Sequence, residues 1–325
     1  MPVKNPLVTI IIPHKNIPGP LQRCLDSIPR RNDIQILIID DNSDPGQVDF
    51  EHFPGLKDPR VEVIFTKEGK GAGYARNTGL SRAKGEWLLF ADADDFYNYC
   101  LSSFLDEYCN SPADIVYFKA NCVDSDTYIN SYRNDRNKLN ANIDSYINAA
   151  SKSEMDLRYH SSVPWGKLIK KSLVDNNNIR FDETSKSNDV TFSYLAGHHA
   201  RSITADKRAV YCVTLRDGSI GYGSMPLIKK IDLLYVTGKA ALFFREHNIP
   251  SHKSTYIKVL LDLYFSDKTG YAQGKKILTG LGYTDRELSR MMLKTYIEEK
   301  MSFIQRVLFF IPRKIILLLG YGKIE

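Results

Sequence analysis

The chain has 325 residues, of which 43% are hydrophobic and 25% are charged, and this composition excludes a disordered or collagen-like protein. Its 44 basic and 38 acidic residues leave a net charge of +6, and the basic residues are scattered until near the C-terminus, so we expect no nucleic-acid partner. The five cysteines form no CxxC pair, which argues against a disulfide framework and against a zinc site.

Apolar runs and amphipathic segments alternate along the first 120 residues. The apolar runs that predict strands occupy residues 7–12, 34–39, 61–65, 87–90 and 113–118, and helical spacing of apolar or small side chains occurs at 21–28 and 72–83. This alternation predicts an α/β fold, a largely parallel Rossmann-like sheet flanked by helices. In such sheets ligands bind beyond the carboxyl ends of the strands, where Pro13, Asp41 and Asp92 fall.

Three carboxylates follow the strand predicted at residues 87–90. Asp92, Asp94 and Asp95 end this apolar run abruptly. Because clustered like charges at a sheet edge repel one another, a bound divalent cation explains them most simply. Mg²⁺ and Mn²⁺ are often held by one or two Asp side chains together with substrate phosphates. The sequence therefore indicates a substrate that carries a diphosphate.

A glycine-rich stretch opens the second predicted helix. Residues 69–77 read GKGAGYARN, and glycines at a helix N-terminus let backbone N–H groups approach an anion. Arg76, one turn into the helix, adds a planar charged donor. A dinucleotide-binding fingerprint would directly follow the first strand, and this stretch lies far later in the chain. We therefore set aside a dehydrogenase interpretation.

These motifs, in this order and spacing, resemble the inverting family 2 glycosyltransferases of the GT-A fold. The resemblance rests on VTIIIP at 8–13, IIDDNS at 38–43, GAGYARNTGL at 71–80, FADADD at 90–95, WGKL at 165–168, Phe181, ND at 188–189 and RDGSI at 216–220. It covers about residues 7–220. It implies a GT-A catalytic domain at 1–220, with a nucleotide-sugar half at about 1–120 and an acceptor half at about 121–220.

The resemblance also implies roles for particular residues. Asp41 would accept a hydrogen bond from the nucleotide base, with Pro13 beside it and Arg76 in the same pocket. Asp92 would contact the ribose or a metal-bound water, and Asp94 would ligate Mn²⁺ or Mg²⁺.

The catalytic base implied by the same resemblance is Asp189. The family usually has Glu-Asp where this chain has Asn188 and Asp189, so the retained carboxylate receives the assignment. The implied reaction moves a hexosyl or N-acetylhexosaminyl group from a nucleotide-diphosphate donor, a UDP-sugar, to a hydroxyl acceptor. The acceptor would be a glycan or lipid-linked sugar in bacterial surface polysaccharide synthesis.

Two other functions stay open at this point. A non-catalytic module that binds sugar nucleotides is favoured by the departure at Asn188. A sugar nucleotidyltransferase is less favoured, because residues 13–16, PHKN, supply no glycine-rich phosphate loop after the first strand.

Several site residues also have purely structural interpretations. Asp189 could be the N-cap of the apolar segment at 190–195, and Asp95 could cap a helix beginning near Phe96. Asp40 is expected to brace the turn after the second strand. Trp165 could equally lie in the core or in the wall of the acceptor site. The adjacent histidines 198 and 199 could ligate a metal, or they could lie at the surface or in the core.

The last hundred residues predict a helical C-terminal region, 221–325. Residues 303–319 mix Phe, Leu and Ile with Arg306, Arg313 and Lys314, a pattern typical of a helix lying in an anionic membrane interface. A helix docked on protein or on a second subunit fits equally. The absence of a signal-like segment and of a spanning apolar run predicts a cytoplasmic protein, peripheral to the inner face of the cell membrane.

Overall fold

The structure is a computed structural model that describes residues 5–132, 134–149, 153–215, 225–250 and 255–310. The chain forms two compact units, Met1–Met225 and Pro226–Glu325. The first contains the sheet and every residue for which the resemblance implied a role. The second is helical.

The first unit contains eight strands and seven helices among the described residues. The strands are β1 (Val8–His14), β2 (Ile34–Asp41), β3 (Val61–Thr66), β4 (Trp87–Phe90), β5 (Phe96–Tyr97), β6 (Ile115–Asp124), β7 (Lys167–Lys170) and β8 (Ile203–Leu215). The helices are α1 (Pro18–Ser27), α2 (Ala72–Arg82), α3 (Leu101–Tyr108), α4 (Asn134–Ile147), α5 (Ser153–His160), α6 (Lys171–Asn176) and α7 (Val190–His199). The five strands expected from apolar runs are therefore confirmed, with ends that differ by up to six residues.

All eight strands join one sheet in the order β3-β2-β1-β4-β7-β6-β8-β5. The first four are parallel, whereas β7 runs antiparallel to β4 and β6, and β5 runs antiparallel to β8. The sheet is thus mixed beyond β4. The register places Pro13 opposite Ile39 and His14 opposite Asp40, so the carboxyl ends of β1 and β2 reach the same edge.

Burial on both faces explains why the first strands could be recognised locally. Every residue of β1, β2 and β4 is buried, as expected for strands covered by helices on each side. The sequence PGP at 18–20 forms the first turn of α1. Proline is tolerated there because the first N–H groups of a helix have no intrahelical partner.

The second unit has its own hydrophobic core, formed by α8 (Leu227–Glu246), α9 (Thr255–Ser266), α10 (Lys268–Leu281) and α11 (Asp285–Phe310). Within the described part of the chain, no helix combines the length and the apolar content needed to cross a bilayer. The segment predicted to bind a membrane interface, 303–319, begins inside α11, and residues 311–319 lie outside the described residues. Its role stays a prediction.

Candidate active site

One cleft of about 430 Å³ opens at the carboxyl edge of the sheet. It is lined by all the residues to which the resemblance gave a role: Pro13, Asp41, Arg76, Asp92, Asp94 and Asp189. These residues come from β1, β2, α2, the segment after β4 and the position before α7. Distant parts of the sequence therefore meet at one site, as the strand order requires.

Asp41, at the end of β2, has one carboxylate oxygen that accepts a hydrogen bond and, among the described residues, one that accepts none. Its Oδ2 accepts a hydrogen bond from the backbone N–H of Gly71 at 2.8 Å, and Nζ of Lys15 lies 3.9 Å from the same oxygen. Gly71 has a φ of +89°, a conformation that favours glycine. Among the described residues no group hydrogen-bonds the buried Oδ1 of Asp41. A buried acceptor without a partner is costly, so this oxygen suits a ligand's N–H group.

Asp40 braces the turn beside this pocket, as expected. Its Oδ1 lies 2.7 Å from Nδ1 of His14, and the hydroxyl and backbone N–H of Ser43 donate to its carboxylate. Nε2 of His14 accepts the N–H of Ile17, so the hydrogen-bond pattern assigns the imidazole proton to Nδ1. Burial acts to raise the pKa of Asp40, but hydrogen bonds from His14 and Ser43 outweigh burial and hold that pKa below its usual range.

The Arg76 guanidinium joins two walls of the cleft. Its Nη2 donates to Oδ1 of Asp92 at 2.6 Å, and its Nη1 donates to Oδ1 of Asn188 at 2.7 Å. The side chain is buried, and its charged end lies 5.4 Å from the ring centroid of Phe181. In the part of the chain that the structure describes, Nε of Arg76 has no hydrogen-bond partner. A buried cation with an unused donor therefore lies beside the cleft.

The segment that carries Asp189 is fastened to α2. The side chain of Asn77 donates to the carbonyl of Phe181 at 3.0 Å and accepts the N–H of Phe181 at 2.9 Å. The Phe181 ring stacks on Phe192 of α7 at a centroid distance of 4.0 Å. These contacts fix both ends of the loop before α7, and with them the position of Asp189.

Asp95 does not cap a helix, and the expectation of a helix near Phe96 is wrong. That segment forms β5, and α3 begins only at Leu101. The buried Asp95 carboxylate instead accepts hydrogen bonds from the hydroxyl of Tyr211 at 3.0 Å and from the N–H of Thr214 at 2.7 Å. Pairing of β5 with β8 overrides any local helix signal. Asp95 connects the acidic loop, residues 91–95, to β8.

Negative charge accumulates in the acidic loop. Burial raises the pKa of Asp95 well above its usual range, and the charges of Asp92 and Asp94 raise it further. Tyr211 and Thr214 oppose this effect through their hydrogen bonds. Asp95 is therefore a structural member of the cluster, whereas Asp92 and Asp94 line the cleft.

The cleft fits a cation that is shared with a ligand. The carbonyl of Asp94 accepts hydrogen bonds from the hydroxyl of Thr214 and from Nη2 of Arg23, both at 2.6 Å, which orients the loop. No group of three or more His, Cys, Asp or Glu side chains among the described residues could hold a metal ion. Carboxylate oxygens suit Mg²⁺ or Mn²⁺, which usually complete their coordination with water and phosphate. The residues present fit such an ion.

Asp189 occupies the N-cap position of α7, but its carboxylate makes no capping hydrogen bond. Loss of hydration in the cleft raises its pKa, and the charge of Asp92 raises it further, while Arg76 and Lys167 lower it. The pKa of Asp189 is raised overall. A carboxylate with a raised pKa is a stronger proton acceptor than an ordinary aspartate.

Other residues that the sequence left open have structural positions. Trp165 is 2% exposed and stacks on Tyr211, so it belongs to the core rather than to the cleft wall. Nδ1 of His198 lies 3.1 Å from the hydroxyl of Tyr159. The five cysteines, all within the described residues, are free thiols. The motif at 216–220 lies outside the described residues.

Sequence reasoning missed two cations near the site. Arg23 of α1 reaches the Asp94 carbonyl and the carbonyl of Ser125, contacts that no local pattern signals. Lys167 is completely buried, and its position between Trp165 and two apolar residues of β7 was a usable signal, because a lysine in a buried strand needs internal partners.

A parallel half-sheet with an acidic cleft at its carboxyl edge is typical of α/β proteins whose ligands bind beyond the carboxyl ends of the strands. The sequence profile described as Glycosyl transferase family 2 matches residues 9–175, more than half of the chain. The chain belongs to this family and is a glycosyltransferase.

Similar proteins agree with this assignment. EpsH of Bacillus subtilis (strain 168), named as a glycosyltransferase, is 27% identical over 261 residues, covering 76% of this chain and 71% of its own length. Glycosyltransferase GlyG of Streptococcus pneumoniae serotype 4 (strain TIGR4) is 26% identical over 247 residues, covering 72% and 79%.

Solved structures give the fold. S. aureus TarS 1–349 in complex with UDP-GlcNAc aligns with a TM-score of 0.56 at 20% identity, over 84% of this chain and 80% of that one. A longer TarS chain aligns with a TM-score of 0.54 at 18% identity, and the match spans 82% of this chain but 45% of that chain. The eight-stranded mixed sheet flanked by helices is thus a GT-A fold with a C-terminal helical region, as the resemblance implied.

Proposed function

We propose that the chain is an inverting, metal-dependent glycosyltransferase that uses a UDP-sugar as its donor. The observation that carries this proposal is the pair of buried polar atoms without partners, Oδ1 of Asp41 and Nε of Arg76, on residues that line one cleft with Asp94 and Asp189. A nucleobase offers N–H groups to the carboxylate, and a diphosphate offers oxygens to the guanidinium. The UDP-GlcNAc in the TarS structure supports a UDP donor that carries a hexosamine or hexose.

The residues divide between the base, the diphosphate and the metal. Pro13 forms the wall of the base pocket beside Asp41. Asp94 ligates Mn²⁺ or Mg²⁺, and Asp92 contacts the ribose or a metal-bound water. When bound, the cation offsets the negative charge that develops on the diphosphate as the sugar leaves. Arg76 supplies fixed positive charge to the same leaving group.

Asp189 takes the proton of the acceptor hydroxyl as the new bond forms. The hydroxyl attacks the anomeric carbon from the side opposite the diphosphate, so a single displacement inverts that carbon. By analogy with glycosidase carboxylates on opposite sides of the reacting centre, Asp189 and the metal would flank the sugar rather than contact one another.

The acceptor is a glycan or lipid-linked sugar of a bacterial surface polysaccharide, and the enzyme works at the cytoplasmic face of the membrane. The basic and apolar composition of residues 303–319 supports membrane contact. Deletion of residues 303–325 should move the protein from the membrane pellet to the supernatant. Unchanged partitioning would favour docking of this segment on protein.

Thermal-shift measurements with UDP-, GDP- and dTDP-sugars, each with and without MnCl₂, test the donor proposal. A ligand that binds only the folded protein raises the melting temperature by mass action. We expect a UDP-sugar to give the largest shift, and the shift to need the metal. The result that contradicts the proposal is an equal response to every nucleotide sugar with or without Mn²⁺. Tight metal-dependent binding without turnover would instead favour the non-catalytic module.

A further inference from the structure

Lys167 is a buried cation that the mechanism above does not use. Its side chain on β7 is 0% exposed. Its Nζ donates to the carbonyls of Ser161 at 2.7 Å and Val163 at 2.6 Å, and to Oγ of Ser193 at 3.1 Å. All three acceptors are neutral, and among the described residues no carboxylate forms an ion pair with Nζ. An ammonium without an ion-pair partner is costly to bury, so its charge needs an explanation.

The third acceptor lies on the helix that follows Asp189. Ser193 is in the first turn of α7, and its N–H donates to the carbonyl of Asp189 at 3.0 Å. The hydroxyl of Ser193 also donates to the carbonyl of Ser162. Lys167 therefore joins β7, the segment at 161–163 and the first turn of α7, which together fix the place of Asp189.

Lys167 and Asp189 face each other's charge and a small set of further groups, Tyr117, Arg76 and Asp92. Tyr117 of β6 has its ring centroid 5.8 Å from Nζ of Lys167, and Asp189 is the carboxylate that acts on the lysine. Burial lowers the pKa of Lys167 to about 7, and the charge of Asp189 opposes that effect. Asp189 in turn faces Arg76 and Asp92 as well as Lys167. The charge of Lys167 in return acts to lower the pKa of Asp189.

We propose that Lys167 is a positioning residue for Asp189: its ammonium anchors the first turn of α7, which directly follows Asp189, and supplies a buried positive charge that favours the ionised carboxylate. The proposal rests on the proposed role of Asp189 as the catalytic base. An apolar residue would fill the same space without the cost of burying a charge. A role for the charge itself accounts for that cost.

Carboxyl ¹³C NMR titration of Asp189 tests the inference without requiring turnover. The wild type and the variants Lys167→Met and Lys170→Met are labelled with ¹³C-aspartate at full length and titrated. The Asp189 resonance is assigned by its loss in Asp189→Asn. Lys170 is a matched control, because it lies on the same strand but donates to the carbonyl of Pro112, outside the cleft. We expect Lys167→Met to raise the Asp189 midpoint by on the order of one pH unit, and Lys170→Met to leave it unchanged.

Enzyme kinetics provide a second test of the role of Lys167. The acid limb of the pH profile for UDP release, measured with MnCl₂ and the UDP-sugar that gives the largest thermal shift, should move upward in Lys167→Met, while UDP affinity stays unchanged. If the wild type releases no UDP, the proposed function fails, and the NMR titration still decides the role of Lys167. An unchanged Asp189 midpoint in Lys167→Met overturns the inference. If that variant does not fold, Ser193→Ala removes the hydrogen bond from Nζ of Lys167 to α7, and it must raise the Asp189 midpoint by a smaller amount.

Discussion

Asn188 accepts a hydrogen bond from Nη1 of Arg76 at 2.7 Å, although the two residues are 112 positions apart in the sequence. The contact fastens the loop before α7 to the helix that carries the glycine-rich motif. Because an amide carries no charge, Asn188 holds the guanidinium without adding a second carboxylate beside that of Asp92. The cleft therefore carries one negative charge fewer than it would with aspartate at position 188.

The substitution Asn188→Asp tests this charge argument. A second carboxylate on Arg76 would add a negative charge that repels the diphosphate, so we expect the dissociation constant for UDP with MnCl₂ to rise by about three- to tenfold. Isothermal titration calorimetry measures the change. Asn110→Asp adds the same charge at an exposed position and serves as the control. Equal affinity in all three proteins would mean that Arg76 does not act on the diphosphate.

Asp94→Ala should remove the metal-dependent part of the thermal shift caused by UDP and leave the folded protein intact. The reason is that its carboxylate lines the cleft, whereas the carbonyl that holds the loop is retained in alanine. Asp126→Ala, at an exposed position, is the control. A full Mn²⁺-dependent shift in Asp94→Ala would assign the metal to other ligands.

The Asp40 and His14 pair should make stability depend on pH. The folded-state pKa of Asp40 is lowered, so its stabilisation is present above the unfolded pKa, about 3.9, and is lost as pH falls through the folded value. Asp40→Asn removes the charge that these hydrogen bonds favour. We expect it to lower the free energy of unfolding at pH 7 by about 2 kcal/mol or more.

Urea denaturation at pH 7 and at pH 3 measures this effect. The difference between wild type and Asp40→Asn should shrink at the lower pH. A difference that is the same at both pH values would show that the carboxylate charge makes no contribution.

Features encoded locally were predictable from sequence, and features set by distant partners were not. The strands at 34–39 and 87–90 are apolar runs buried on both faces, and the carboxylates after them had to lie at one sheet edge. Asp95 was misjudged because its partners, Tyr211 and Thr214, lie more than a hundred residues away. β7 was missed because it has two apolar residues between Lys167 and Lys170. β8 was missed although residues 209–213 are a continuous apolar run, because the first half of the strand contains charged residues.

Gly73 permits the close approach of α2 to the loop before α7. A Cβ at this position would lie 2.0 Å from the carbonyl oxygen of Asp182, so backbone would have to move. Gly73→Ala should therefore lower the melting temperature and weaken UDP binding, because Arg76 and Asn188 would separate. Gly19→Ala, where nothing lies within 4 Å in helix α1, should leave both unchanged or raise stability slightly. Thermal unfolding and calorimetry distinguish these outcomes.

The rate of UDP release by Asp189→Asn, measured with Mn²⁺ and with the UDP-sugar that gives the largest thermal shift, shows whether this carboxylate is the catalytic base. The variant keeps the shape of the side chain and loses the proton acceptor. The account predicts UDP affinity within about twofold of wild type and turnover lower by roughly a hundredfold or more. Turnover equal to that of the wild type would contradict the account, because another group would then be taking the proton.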